Sequence, residues 1–315
     1  MELHVITGGA GFVGVNLTRR LLRNGANVLA LDDLSRGQRS ALAEFESGSA
    51  FQFRQIDCSD ASAMTDLFGG LRSISAVWHL AANSDIPAGI EDPNIDLHRT
   101  FMTTVSTLAA MRAHRVPVLH FASSSAIYGD LGERELVEDI GPLEPISNYG
   151  AMKLASEAQI RAAVEAYLPR ASIFRFPNVI GVPATHGVIL DFIAKLRATP
   201  DRLDVLGNGS QQKAYLHVDD LVEAMLHIAD LDGRYMVFNI GPADDGITVA
   251  SIAEQVRDRV SPGAAIHYGE GDRGWVGDVP RFRYSIERLL STGWAPSLNS
   301  EAAARRAIDE IAARH

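Results

Sequence analysis

Glu2-Leu3-His4-Val5-Ile6-Thr7 runs directly into Gly8-Gly9-Ala10-Gly11-Phe12-Val13-Gly14, and the fold is decided at that junction. The apolar, β-branched residues up to Thr7 predict a strand, and the pattern over 13–24 predicts a helix. Between them the glycines stand in G-x-x-G-x-x-G form. They supply a tight turn, close approach of backbone to a pyrophosphate, and close contact between helix and strand. The helix start adds free N–H groups and a dipole that favours phosphate. Gly8, Gly11, Phe12 and Val13 are therefore candidate contacts to a dinucleotide.

The same rhythm continues outward. Strands are predicted over 27–32, 51–57, 76–82, 116–123 and 172–177, alternating with helices over 61–68, 97–114 and 148–166. Several strands are apolar nearly throughout, as strands covered on both faces are. Repeated strand–helix–strand units predict an α/β chain with a Rossmann-type, doubly wound parallel sheet. After residue 180 the pattern changes to helices over 188–197, 219–229, 249–260 and 300–313 with a strand over 236–240. We read residues 1–180 as a nucleotide-binding domain with the catalytic residues, and 181–315 as a smaller mixed α/β part for substrate, with the chain free to cross between them.

Across 315 residues, 46% hydrophobic and 22% charged side chains exclude a disordered chain and provide material for a large core. Lys and Arg (29) against Asp and Glu (39) leave a net charge of −10. That mean field repels nucleic acid and leaves room for a local basic pocket around a small anion. No apolar run approaches the roughly 18 residues of a membrane span, and no signal peptide is visible. Cys58 is the single cysteine, so no intrachain disulfide forms and a reducing, cytoplasmic setting is expected. The His, Asp and Glu spacing offers no metal site.

The second strand ends in Leu31-Asp32-Asp33, 18 residues beyond Gly14. A carboxylate there accepts hydrogen bonds from ribose hydroxyls and repels a 2′-phosphate, which favours NAD over NADP. Arg36, close by, is the residue that argues the other way. Asp33 is a cofactor candidate by position, but it and Ser35 read equally as the start of a turn. Asp57-Cys58 after the third strand either touches adenine or precedes a helix cap at Ser59 or Asp60.

Tyr149 and Lys153 form Y-x-x-x-K and share one helix face. A free tyrosine is a poor base at neutral pH. Lowering its pKa by ~3 units requires about 4 kcal/mol in favour of the phenolate, which a neighbouring ammonium and a positively charged nicotinamide would provide together. Phe121-Ala122-Ser123-Ser124-Ser125-Ala126-Ile127-Tyr128-Gly129 ends the fifth strand at the sheet's carboxyl edge, where ligands sit in such folds. A hydroxyl from that run can hold the reacting oxygen, although Ser125 reads as part of a turn.

The stretches TGGAGFVG, LDDLSRG, HLAA, SSSAIYG, YGAMK, RFPN, LHVDD and GDRGWVGDVP follow one another along almost the whole chain. In that order they resemble the extended short-chain dehydrogenase/reductases of the NAD-dependent nucleotide-sugar epimerase/dehydratase group, the UDP-glucose 4-epimerases above all. The resemblance implies Tyr149 as base, Lys153 as its partner and Ser124 as the third catalytic residue. It implies that Leu80, Ala81 and Ala82, after His79, line the cofactor. It places Asn178 at the nucleotide-sugar diphosphate. Val188, Lys213, Tyr215, Arg273 and Asp278 join Ser124 and Asn178 as substrate candidates, with Phe282 near a position where bulk excludes N-acetylated sugars. Family members with 4,6-dehydratase activity carry an Asp-Glu pair after the serine, where this chain has Ser125-Ala126, so elimination lacks its general acid and base.

The expected reaction is C4 epimerisation of a nucleotide sugar, UDP-glucose/UDP-galactose first, through a 4-keto intermediate to which NADH returns the hydride. UDP-glucuronate or UDP-N-acetylhexosamine epimerisation and keto-sugar reduction are the alternatives. Two departures stand out. Thr100 occupies the place of a family Asn, and Lys213 that of an Arg, which keeps charge but not a bidentate fork. A homodimer through the helices over 97–114 and 148–166 is also expected.

Overall fold

The computed structural model describes residues 2–132, 134–271, 279 and 283–314. It divides into two compact units. One gathers Met1–Gly129, Leu143–Arg175 and Met225–Phe238. The other gathers Asp130–Pro142, Phe176–Ala224 and Asn239–His315. The chain passes between these units more than once, and the boundary nearest the expected residue 180 falls at Phe176.

The first unit is built on strands β1 (Leu3–Thr7), β2 (Asn27–Asp32), β3 (Phe51–Gln55), β4 (Ile74–His79), β5 (Val118–Ala122), β6 (Arg170–Arg175) and β7 (Tyr235–Asn239). Their order is β7-β6-β5-β4-β1-β2-β3, and every pairing from β6 to β3 is parallel. The order reverses between β1 and β4, the topological switch point of a doubly wound sheet. Helices α1 (Phe12–Arg23), α2 (Ala61–Gly69), α3 (Thr103–His114) and α4 (Asn148–Ala166) provide the main crossovers. The core lies between strand residues such as Val5, Val77 and Leu119 and helix residues such as Phe68, Met111 and Ile160, all buried.

Register fixes the functional edge. Thr7 pairs with Leu31 on one side and His79 on the other, and His79 pairs with Phe121. The turns that leave these strands (the glycine loop, Asp32-Asp33, Leu80-Ala81-Ala82 and Ser123-Ser124) therefore emerge side by side. The fourth strand ends at His79 rather than at residue 82, so these three apolar residues belong to a turn. The helix expected over 97–114 is interrupted: Leu97–Met102 is wound as a π-helix before α3 begins.

The second unit packs helices Val188–Ala198, Val249–Val260 and Ser300–Arg314 around a core that includes Ile193, Leu203, Ile252 and Ile308. Short strand pairs complete it: Asn178–Ile180 with Tyr215–His217, Arg202–Val205 with Ala265–Tyr268, and Gln212–Lys213 with Ile247–Thr248.

Candidate active site

Bare backbone shapes the glycine loop. Gly8 has φ +70°, and a Cβ there would lie 2.8 Å from the Ala81 nitrogen. A Cβ on Gly14 would lie 2.3 Å from the Gly8 carbonyl oxygen. The loop thus packs directly on the Leu80-Ala81 turn, and α1 packs directly on the loop. Gly11 caps α1 without a side-chain hydrogen bond, and Phe12 and Val13 remain partly exposed. Asp32, buried at the end of β2, accepts hydrogen bonds from the N–H of Ala10 at 3.0 Å and of Leu34 at 2.8 Å. Each carboxylate oxygen keeps further acceptor capacity. Burial raises its pKa and the two N–H donors oppose that rise. A cradle that excludes any Cβ, an uncapped helix start and an acceptor at the second strand fit a dinucleotide.

Asp33 and Asp57 are exposed and close local turns onto Ser35 and Ser59. Cys58 is buried, its thiol pushed up by burial and by the surrounding aspartates while the Gly8 backbone opposes them. Asp60 caps α2 through Ser62 and Ala63. The turn-and-cap alternative thus accounts for 57–60. Arg36 is ion-paired to Asp85 at 2.9 Å.

Ser147 caps α4 by accepting the Gly150 N–H, which places Tyr149 in the first turn and Lys153 one turn on. Lys153 is buried, its Nζ 2.6 Å from the Ala122 carbonyl at the end of β5 and 5.7 Å from the centre of the Tyr149 ring. Ser124, partly exposed, hydrogen-bonds Tyr149 and accepts the Ala126 N–H. The structure therefore brings Ser124, Tyr149 and Lys153 together.

In the chain by itself, burial dominates the electrostatics of this pair. Burial pushes the Tyr149 phenol up to about 12; the Ser124 hydrogen bond pulls it down, and the Asp96 carboxylate adds to the rise. Lys153 is itself lowered to about 7, by burial above all, with Glu157 and Asp96 opposing. Burial thus opposes the charged form of both groups, and the Ser124 hydrogen bond is the contribution that favours the phenolate.

Behind this pair lies a buried network that sequence reasoning missed. Arg175 donates to both oxygens of Glu157, at 3.0 and 2.7 Å, and to the Tyr128 hydroxyl at 3.0 Å. Ser123 donates to Glu157 at 2.5 Å. The signal was present, since Glu157 extends the Tyr149–Lys153 face by one more turn. His79 is also a support. It is fully buried between Thr7 and Thr104 at 2.6 and 2.9 Å, and Thr104 continues to Ser156. Leu80, Ala81 and Ala82 are half-buried beside the glycine loop.

Apart from Ser124, the substrate candidates lie in the second unit. Asn178 is exposed on its short strand, and Val188, partly buried, begins a helix. Lys213 is buried in the strand that pairs with Ile247–Thr248. Tyr215 is buried, in contact with the hydrophobic core of this unit. Arg273, Asp278 and Phe282 lie outside the described residues.

Known proteins are similar to this chain in sequence and fold. A UDP-glucose 4-epimerase of Mycolicibacterium smegmatis is 31% identical over 75% of this chain and 76% of its own. A dTDP-glucose 4,6-dehydratase of Mycobacterium tuberculosis is 32% identical over 81% and 77%. The crystal structure of Thermus thermophilus UDP-glucose 4-epimerase in complex with NAD superposes with a TM-score of 0.85 at 28% identity, over 98% of each chain. With residues 4–241 matching its sequence pattern, the chain belongs to the NAD dependent epimerase/dehydratase family.

Proposed function

We propose that this protein interconverts the C4 epimers of a nucleotide sugar, with UDP-glucose and UDP-galactose as the first pair to test. The observation that carries this reading is the meeting of Ser124, Tyr149 and Lys153 at the sheet's carboxyl edge, followed by Ser125-Ala126 instead of a carboxylic acid. NAD, when bound, supplies the hydride acceptor and donor. Gly8, Gly11, Phe12, Val13, Asp32 and the Leu80-Ala81-Ala82 turn are the residues that would hold it.

Tyr149 takes the proton of the C4 hydroxyl and returns it to the same oxygen, while the Ser124 hydroxyl orients that oxygen. Lys153 favours the phenolate to the extent that it carries its proton. Elimination across C5 and C6 would require a general acid, and Ser125-Ala126 supplies none. This favours epimerisation, even though a dehydratase is among the similar proteins. Asn178, Val188, Lys213 and Tyr215 remain the described candidates of the second unit for holding the nucleotide sugar, with the lysine meeting the diphosphate as a point charge. A homodimer through the Leu97–Met102 turns, α3 and α4, working in the cytoplasm, belongs to the same reading; the exposed Leu97 supports that face.

The test is incubation of the purified protein with UDP-glucose, UDP-N-acetylglucosamine and UDP-glucuronate, each without added cofactor, with products resolved by anion exchange and proton NMR. A C4 epimer is expected, from UDP-glucose before the others. If none is converted even with NAD supplied, the UDP-sugar reading fails and keto-sugar reduction takes its place.

A further inference from the structure

Arg36 is the feature of the nucleotide site that speaks for a phosphorylated ribose, and the structure gives it a partner. The backbone on either side of it is held at the cradle. The Leu34 N–H donates to Asp32 at 2.8 Å, and the Gln38 N–H donates to the carbonyl of Ala10, in the glycine loop, at 3.1 Å. A Cβ on Gly37 would stand 2.7 Å from the Asp32 Oδ1. Arg36 therefore starts one residue from contact with the carboxylate assigned to the ribose hydroxyls. An arginine near that carboxylate is the kind of residue that accommodates a 2′-phosphate.

Here the Arg36 Nη1 donates instead to the Asp85 Oδ2 at 2.9 Å. Asp85 is fixed in place for this contact. Its N–H donates to the side-chain carbonyl of Asn83 at 3.0 Å, and its own carbonyl accepts from the Asn83 amide at 2.8 Å. Asn83 is itself buried. The Asp85 Oδ1 accepts the Ala88 N–H at 3.1 Å, which leaves Oδ2 for the guanidinium. Asp33, the acid closest to Arg36 in sequence, turns to the N–H and hydroxyl of Ser35. Because β1 lies between β4 and β2 in the sheet, the ion pair joins the turn after β2 to the turn after β4, on either side of the strand that feeds the glycine loop. A half-exposed pair of this kind is weak in itself, but a 2′-phosphate has to displace it before the guanidinium is free, and meets one more carboxylate in doing so.

We propose that Asp85 is a specificity-determining residue, which engages Arg36 and so completes, with Asp32, the selection of NAD over NADP. Asp32 opposes a 2′-phosphate by its charge at the ribose; Asp85 occupies the cation that would offset that charge. The inference rests on the dinucleotide cradle described above and is independent of which sugar is turned over.

The test counts bound nucleotide. Wild type, Asp85→Asn, Arg36→Met and the double variant are denatured as purified, and again after incubation with NAD and an excess of NADP followed by desalting. The released nucleotides are resolved by chromatography. Asparagine keeps the hydrogen bond from Ala88 and removes the charge. Wild type is expected to release NAD almost alone, and Asp85→Asn to raise the NADP share after incubation by at least about threefold. The double variant is expected to return to the wild-type ratio, since no cation is left to free. An NADP share unchanged in Asp85→Asn would overturn the proposal. So would an equal rise in the double variant, which would make Asp85 a plain repulsive charge. Arg36→Met alone is expected to leave the ratio unchanged; a lower NADP share there would show Arg36 serving the phosphate despite Asp85, and this reading holds even if Asp85→Asn fails to fold. Release of no nucleotide by any form would overturn the cradle and the proposal with it. Conversion of no UDP-sugar, with the nucleotide ratios as expected, would count against the epimerase reading alone.

Discussion

An ammonium taken out of water loses most of its solvation, and Lys153 regains little of it through one short bond to the Ala122 carbonyl. Its value of about 7, against 10.5 unfolded, has a definite sign for stability. Between these limits the unfolded chain holds a proton that the native chain has released, so the lysine's contribution to stability rises with pH across that window and its penalty is complete below 7. Lys153→Met removes the penalty. We expect the variant to lose turnover, and to gain on the wild type in denaturant melts as pH falls from about 10 to 7. A stability difference independent of pH would remove the argument. Tyr149→Phe deletes a single hydroxyl whose described partner is Ser124. It is expected to cut turnover by at least about 100-fold, with melting temperature and retained NAD close to wild type; residual turnover within a few-fold of normal would show that another group moves the proton.

At the scale of elements, the β1–α1 junction is the least forgiving. In Gly14→Ala the new Cβ meets the Gly8 carbonyl oxygen at 2.3 Å and the Gly9 Cα at 2.8 Å, both backbone, so the loop itself must move. Overpacking of this kind costs about 1–3 kcal/mol, and the displaced loop is the one assigned to the phosphates. Lower thermal stability and loss of cofactor from the purified protein are expected together, read by melting and by the nucleotide released on denaturation. Retention of both would show that the loop is not the cradle. This junction was legible because the glycines stand at a strand–helix boundary, and the helices Asn148–Ala166 and Val249–Val260 fall on their sequence-derived limits. The two- to four-residue strands of the second unit were not legible, since so short a segment has no period to read and is defined only by its partner. The break at Leu97–Met102 escaped notice because a π-turn and an α-turn share nearly the same apolar pattern. Tyr149 and Lys153 announce their proximity by spacing. Arg175 does not announce its pairing with Glu157, because it reaches that helix face only through tertiary packing from β6.

Across the whole molecule, acid is the condition to which the fold is most exposed. His79 and His120 are completely buried, and burial holds both at about 3, against 6.5 in the unfolded chain. Below 6.5 the unfolded chain takes up protons that the native one refuses, so stability falls with pH down to about 3. At 1.36 kcal/mol per unit, the two histidines together withdraw about 4 kcal/mol by pH 5. Net charge works the other way: from −10 at pH 7, acidification first brings the chain nearer neutrality and relaxes self-repulsion. Steep acid lability above pH 5 is therefore a signature of the buried rings. His120 allows a clean test. Its ring lies 4.1 Å from that of Trp78 and 5.9 Å from that of Phe174, and its Nδ1 has no hydrogen-bond partner among the described residues. His120→Phe keeps a ring in the stack and deletes the titration. It is expected to match the wild type at pH 7.5 and to exceed it by about 2 kcal/mol at pH 5, measured by urea denaturation at both values. Parallel loss of stability in the two proteins would move the origin of acid lability away from the sheet interior and onto the carboxylates.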